Sequence, residues 1–191
     1  MSASYANAVK EHLPKVAIVF DRYHVMALMN RKIDELRREQ HHTLQADGKK
    51  LLKGSRYLLL RNYDTLSGER QSKLQDLLSV NQPLHVMHTM KEQLRLFWHQ
   101  RTKSKAAAFL RQWCFDALIS GVPQLISVGY TLIKRLWGLT SYYPHKISNG
   151  PLEGLNNKIK TMKRQAYGFR DMEYFTLRLY DLHTSRYAFA G

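Results

Sequence analysis

Cysteine is almost missing from this chain. Cys114 stands alone, so neither an internal disulfide nor a CxxC zinc site can form, and a reducing compartment is expected. No uninterrupted apolar run approaches the roughly 20 residues that span a bilayer. The opening MSASYANAVKEHLPK lacks the basic-then-apolar order of a secretory leader, so a cytoplasmic location without a membrane partner is expected. Glycine-rich phosphate loops, nucleophile elbows and HExxH are missing too, which excludes NTPase, α/β-hydrolase and zincin chemistry. Acidic residues are scarce. Fifteen Asp and Glu against 30 Lys and Arg leave a net charge of +15 and a pI near 10, the imbalance of a chain whose partner is a polyanion.

What is present is enough to fold. The 191 residues are 44% hydrophobic, sufficient for one domain with a real core. Residues 3–13 fit a short helix that buries Ala6, Val9 and Leu13 and stops at Pro14. Residues 16–20, VAIVF, form a β-branched apolar run and predict a strand buried on both faces of a parallel or mixed sheet. Beyond Asp21 the pattern is helical. Val25, Leu28, Ile33 and Leu36 mark a helix reaching a turn at residues 46–50. Leu74, Leu77 and Leu78 mark another that ends near Asn81, and Pro83 opens one through Leu84, Met87, Leu94 and Trp98. Two more cover 103–119 and 123–138, a break falls at Tyr142-Tyr143-Pro144, and a last helix carries Phe175, Leu179 and Leu182.

Several side chains are candidates for chemistry. Asp21 and His24 follow the predicted strand, at the end where open α/β sheets hold ligands; equally, Asp21 can cap the next helix with His24 in its first turn. His85 and His88 lie three apart on a helix, but no third ligand has matching spacing, so surface or groove histidines are expected there. His41-His42 reads the same way. Cys114 reads as a small buried apolar residue, and Trp98, Trp113 and Trp137 as core.

The segment from Ser148 to Arg164 is the most informative. Asn149 or Gly150 can cap a helix, and Pro151 suits its first position because its missing N–H would have had no partner. Leu152, Leu155, Ile159, Met162 and Ala166 then share an apolar stripe, while Glu153, Asn156, Asn157, Lys160 and Arg164 share a polar face. Glu153 has two readings. A first-turn carboxylate is favoured by the helix dipole, and a carboxylate among phosphate-binding groups can also hold a divalent metal.

At these residues the chain resembles the C-terminal part of a bacterial insertion-sequence transposase of the ISL-three type, in the DDE superfamily. Four blocks carry the resemblance: residues 16–25 with the Asp-x-x-His signature of Asp21 and His24; Asp34-x-x-Arg37-Arg38; Leu52-Lys53-Gly54-Ser55-Arg56-Tyr57-Leu58; and residues 148–170, from Ser-Asn-Gly through Lys-Arg-x-Ala-Tyr-Gly-Phe-Arg. The resemblance implies an α-rich α/β fold, the C-terminal remnant of an RNase H-like transposase core with a large all-helical insertion. Residues 1–44 would be partial core (helix, strand, helix), 45–140 the helical insertion, and 141–191 C-terminal core helices carrying the glutamate motif.

It further implies that Glu153 is the terminal, catalytic and metal-binding glutamate of the Asp-Asp-Glu triad. Asn156, Asn157, Lys158, Lys160, Lys163, Arg164 and Arg170 would contact DNA. The implied reaction is Mg²⁺-dependent phosphodiester hydrolysis and strand transfer at insertion-sequence ends, with those ends, target DNA, a second copy or a full-length transposase as partners near the nucleoid. By the same resemblance both catalytic aspartates precede Met1, so the chain alone is expected to be inactive. The alternative is a non-catalytic basic DNA-binding protein or a regulator of the full-length transposase.

Overall fold

The computed structural model describes residues 3–43, 52–147 and 150–184, and the chain divides into two compact units, Met1–Lys146 and Ile147–Gly191. Among the described residues there are helices, turns and extended segments but no strand. The first unit contains α1 (Ala3–His12), α2 (Arg22–Thr43), α3 (Arg56–Leu60), α4 (Gly68–Ser79), α5 (Gln82–Arg95), α6 (Lys103–Ile119), α7 (Pro123–Ile133), α8 (Leu136–Thr140) and α9 (Tyr142–His145).

Its helix starts follow local chemistry. The Asp21 carboxylate accepts the Tyr23 N–H at 2.6 Å at the head of α2, Asn81 accepts the Leu84 N–H at 3.0 Å at the head of α5, and Thr102 accepts the Lys105 N–H at 3.2 Å at the head of α6. Pro123 opens α7. Gly121, at φ 72°, makes the short turn between α6 and α7, the most extensive helix pair of the unit. At their contact Gly129 has no side chain, and a Cβ there would lie 3.1 Å from the Ala117 Cβ.

Helix α2 packs on α3, α5 and α7. Its buried stripe is Val25, Met29, Ile33 and Leu36, meeting a core that includes Leu84, Met87 and Leu94 of α5, Leu110, Trp113 and Cys114 of α6, and Leu125, Val128 and Leu132 of α7. Burial of such side chains, about 1.5–3 kcal/mol each, is the main force holding these helices together.

Several expectations for the first unit need correction, among them Leu13, which lies beyond the end of α1 and is exposed rather than buried. Residues 16–20 are not in a sheet: Val16 is exposed, Ile18 is half-buried, and the Phe20 N–H donates to the Gly138 carbonyl of α8 at 3.1 Å. An apolar β-branched run signals burial but needs a partner strand, and among the described residues none exists. The helix expected over 123–138 breaks at Lys134-Arg135, where the chain tightens through an Arg135 N–H to Leu132 carbonyl bond of 3.0 Å before α8 begins. His88 is 5% exposed and lines a cleft with Tyr63, Glu92 and Arg95, so of the two settings expected for it the groove applies and the open surface does not. Trp137 is 40% exposed, edge-on to Phe20 with the Lys10 ammonium 4.2 Å over its ring. The turn expected at 46–50 lies outside the described residues.

The second unit pairs α10 (Gly150–Gln165) with α11 (Met172–Thr184). Met162 and Leu182 are buried, with Leu155, Ile159, Phe175 and Leu179 half-buried. Ala166 falls beyond the end of α10 and is exposed, so the apolar stripe stops one turn earlier than its spacing suggests. α10 ends in a Schellman turn: the Gly168 N–H donates to the Lys163 carbonyl at 2.9 Å and the Tyr167 N–H to the Arg164 carbonyl at 3.1 Å. Asp171 then caps α11, accepting the N–H groups of Glu173 and Tyr174 at 2.9 and 3.0 Å.

Candidate nucleic-acid interface

In the second unit α10 is amphipathic because its apolar residues recur at helical spacing, and that spacing turns the remaining side chains to solvent. Glu153, Asn156, Asn157, Lys158, Lys160, Lys163 and Arg164 are all exposed, as is Arg170 beyond the turn. Since α10 begins at Gly150, Glu153 is its fourth residue, and Pro151 its second, each one position later than a Gly150 cap would make it. The Asn149 cap position lies outside the described residues, as do the side chains of Pro151 and Leu152. The Lys163 ammonium sits 5.2 Å over the Phe175 ring of α11, which fixes the end of the basic face against the second helix. A row of exposed cations and amides along one helix suits phosphate oxygens, since such contacts need no base-specific geometry.

In the first unit the resemblance blocks meet in space. Asp34 of α2 accepts Arg37 at 2.9 Å through both Nε and Nη2, lies 3.4 Å from Arg38 and 3.6 Å from Arg56 at the head of α3. Three guanidiniums thus surround one largely buried carboxylate. Asp34, Arg38 and Arg56 edge a cleft of about 420 Å³ that also touches Tyr23, Asn30 and Arg31. A neighbouring cleft of about 570 Å³ is lined by His24, Arg31, Thr131 and Arg135. Of the two residues in the Asp-x-x-His signature, Asp21 is thus the α2 cap and His24 lines this second cleft.

Two buried groups were not apparent from the sequence. Lys91 is fully buried, donating to the Leu59 and Arg61 carbonyls at 2.8 and 2.6 Å and pairing with Glu92 at 3.0 Å. Burial pulls its ammonium pKa down against the opposing Glu92 charge. One turn away, burial and the Lys91 charge lower His88 to about 4, with Glu92 opposing. Burial alone would raise Glu92, yet Lys91 and Arg95 hold it below the ordinary carboxylate range. The only sequence signal was position: 84, 87, 88, 91 and 94 fall on one face of α5, so Lys91 occupies a core site. Cys114 is buried as expected, its thiol pushed up to about 12 by burial.

A helix-rich basic chain with phosphate-suited faces is the class these features define. The comparisons specify it. A family model for transposases of the ISL3-type DDE group matches residues 1–179, and the chain belongs to that family. It is 35% identical over 182 residues to the transposase for insertion sequence element IS1001 of Bordetella parapertussis, covering 94% of this chain and 45% of that protein. It is 24% identical over 188 residues to the transposase for insertion sequence element IS1557 of Mycobacterium tuberculosis, covering 86% of this chain and 42% of the relative. This chain therefore spans under half the length of these relatives. A 36-residue stretch is 61% identical to an ATP-dependent protease of Lactococcus lactis, 12% of that protein. No solved structure matches the chain.

The described residues do not form a complete metal site. A hard divalent cation takes several oxygen ligands, and among the described residues no group of three His, Cys, Asp or Glu side chains is placed to hold one. Among them no helix is long and apolar enough to cross a membrane.

Proposed function

We propose that this chain is part of a DDE transposase acting in DNA transposition, and that its own contribution is to hold DNA and to supply one carboxylate, Glu153. The observation that carries this is α10, where Glu153 opens an exposed face continued by Asn156, Asn157, Lys158, Lys160, Lys163 and Arg164, with Arg170 beyond it. In the whole transposase the reaction would be Mg²⁺-dependent phosphodiester hydrolysis and strand transfer at insertion-sequence ends. The remaining carboxylates would come from outside these 191 residues, within the same RNase H-like core. Residues 45–140 would be its helical insertion, flanked by core segments 1–44 and 141–191.

The second reading is a DNA-binding protein or regulator of a full-length transposase, working near the nucleoid in the bacterial cytoplasm. The incomplete ligand set among the described residues and the net charge of +15 favour it for the chain acting alone. One experiment separates the two. The purified chain, incubated with duplex DNA carrying insertion-sequence ends and Mg²⁺ or Mn²⁺, is expected to bind without cutting. Metal-dependent nicking lost in Glu153→Gln overturns the incomplete-site reading, and absence of any binding overturns both.

A further inference from the structure

Helix α2 carries a second basic ridge, in the unit that does not contain Glu153. His24, Arg31 and Arg38 recur every seven residues, which places them along one side of the helix over roughly 21 Å at 1.5 Å per residue. All three are exposed. Arg56 flanks one end of the row and Arg135 the other, each lining a cleft that also contains Arg31.

The acid on this ridge does not cancel its charge. Asp34 is held by Arg37, whose guanidinium is itself largely buried, with both contacts at 2.9 Å. Arg38 and Arg56 stand farther off, at 3.4 and 3.6 Å, and their side chains are 63% and 54% exposed. One carboxylate therefore faces three guanidiniums, and the two exposed ones keep N–H donors for another anion. A guanidinium presents several donors in a fixed fork that matches phosphate oxygens. The ridge is regular and about as long as six base steps of duplex at 3.4 Å each.

We propose that the α2 ridge, from His24 to Arg38 with Arg56 and Arg135 at its flanks, is a track for the sugar-phosphate backbone of duplex DNA, additional to the α10 face. This rests on the reading that the chain acts on DNA. Contacts of this kind position a duplex without reading its sequence.

The test is a binding titration of a random-sequence 30-base-pair duplex at several salt concentrations. Arg31→Gln/Arg38→Gln/Arg135→Gln is compared with the parent chain and with Lys160→Gln/Lys163→Gln/Arg164→Gln on α10. Each lost phosphate contact lowers the slope of log affinity against log salt by about 0.9. The ridge variant should therefore bind more weakly with a slope shallower by about 2 to 3, at an unchanged melting midpoint. If the midpoint falls, Arg31→Gln/Arg135→Gln, which spares the Asp34 cluster, should shallow the slope by about 2. A ridge variant with the parent's affinity and slope, while the α10 variant loses both, overturns the ridge and leaves the proposed function standing. A parent chain that binds no duplex overturns both.

Discussion

The Phe20 ring fills the space that a side chain on Gly138 would need. Its N–H donates to the Gly138 carbonyl at 3.1 Å, and two of its ring carbons lie 2.6 Å from where a Cβ on residue 138 would stand. This contact ties the extended segment 16–20 to α8. Gly138→Ala would gain about 1 kcal/mol of helix propensity but force the buried ring to move, at about 1–3 kcal/mol for overpacking. Net destabilisation of about 1 kcal/mol is expected, read as a lower denaturant midpoint at unchanged slope. A raised midpoint would show that the ring is free to give way.

Lys91 should be costly to neutralise. Its ammonium satisfies the Leu59 and Arg61 carbonyls and offsets the half-buried Glu92. Lys91→Met fits the same volume but leaves two acceptors unmet and the carboxylate without that counter-charge. Breaking such a buried arrangement from one side costs about 3–5 kcal/mol. Urea unfolding should show a loss of about 3 kcal/mol; equal or higher stability would mean that water or Arg95 takes over the role.

These two relationships mark where the sequence was readable and where it was not. Val25, Ile33 and Leu36, and Leu84, Met87 and Leu94, are buried as their helical spacing predicts, since that period follows from the backbone alone. Met29, however, takes the buried place expected for Leu28, which is half-buried. The capping role weighed for Asp21 is likewise local, its carboxylate bonding two residues on. Residues 16–20 misled because composition reports burial, while sheet pairing depends on a distant partner. In the described residues the Phe20 N–H finds a helix carbonyl over a hundred residues away. Lys91 was hidden for the same reason, its acceptors lying 32 and 30 residues earlier. Of the candidate site, the exposed face of α10 was legible from spacing, whereas the meeting of Arg56 with Asp34 was not.

Tyr167 offers a stabilising change. It occupies the left-handed position after α10 at φ 49° and is fully exposed, so its side chain contributes no packing. An L side chain in that region costs about 1–2 kcal/mol, a penalty glycine lacks. Offset by glycine's greater unfolded-state entropy, Tyr167→Gly should raise stability by up to about 1 kcal/mol in a thermal melt. A lower melting point would show that the phenol ring makes contacts the isolated chain needs.

His88 should make stability fall in mild acid. It is 5% exposed, its Nε2 has no hydrogen-bond partner, and burial together with the Lys91 charge lowers its pKa to about 4. In the unfolded chain the imidazole protonates near its ordinary value of about 6.5. Below that pH the unfolded state takes up a proton that the folded state still refuses, so folding becomes less favourable as the pH falls. The contribution is fully present above about pH 6.5 and is lost progressively down to about pH 4, where the folded state protonates as well. At about 1.4 kcal/mol per unit, the span is worth about 3 kcal/mol. Carboxylates titrate over the same interval, so the parent profile alone is not diagnostic. His88→Leu removes this proton site and leaves the carboxylates in place. Between pH 7 and pH 4 the parent should lose about 3 kcal/mol more than His88→Leu in urea unfolding, and parallel profiles would mean that the folded protein admits the proton at His88 at ordinary pH.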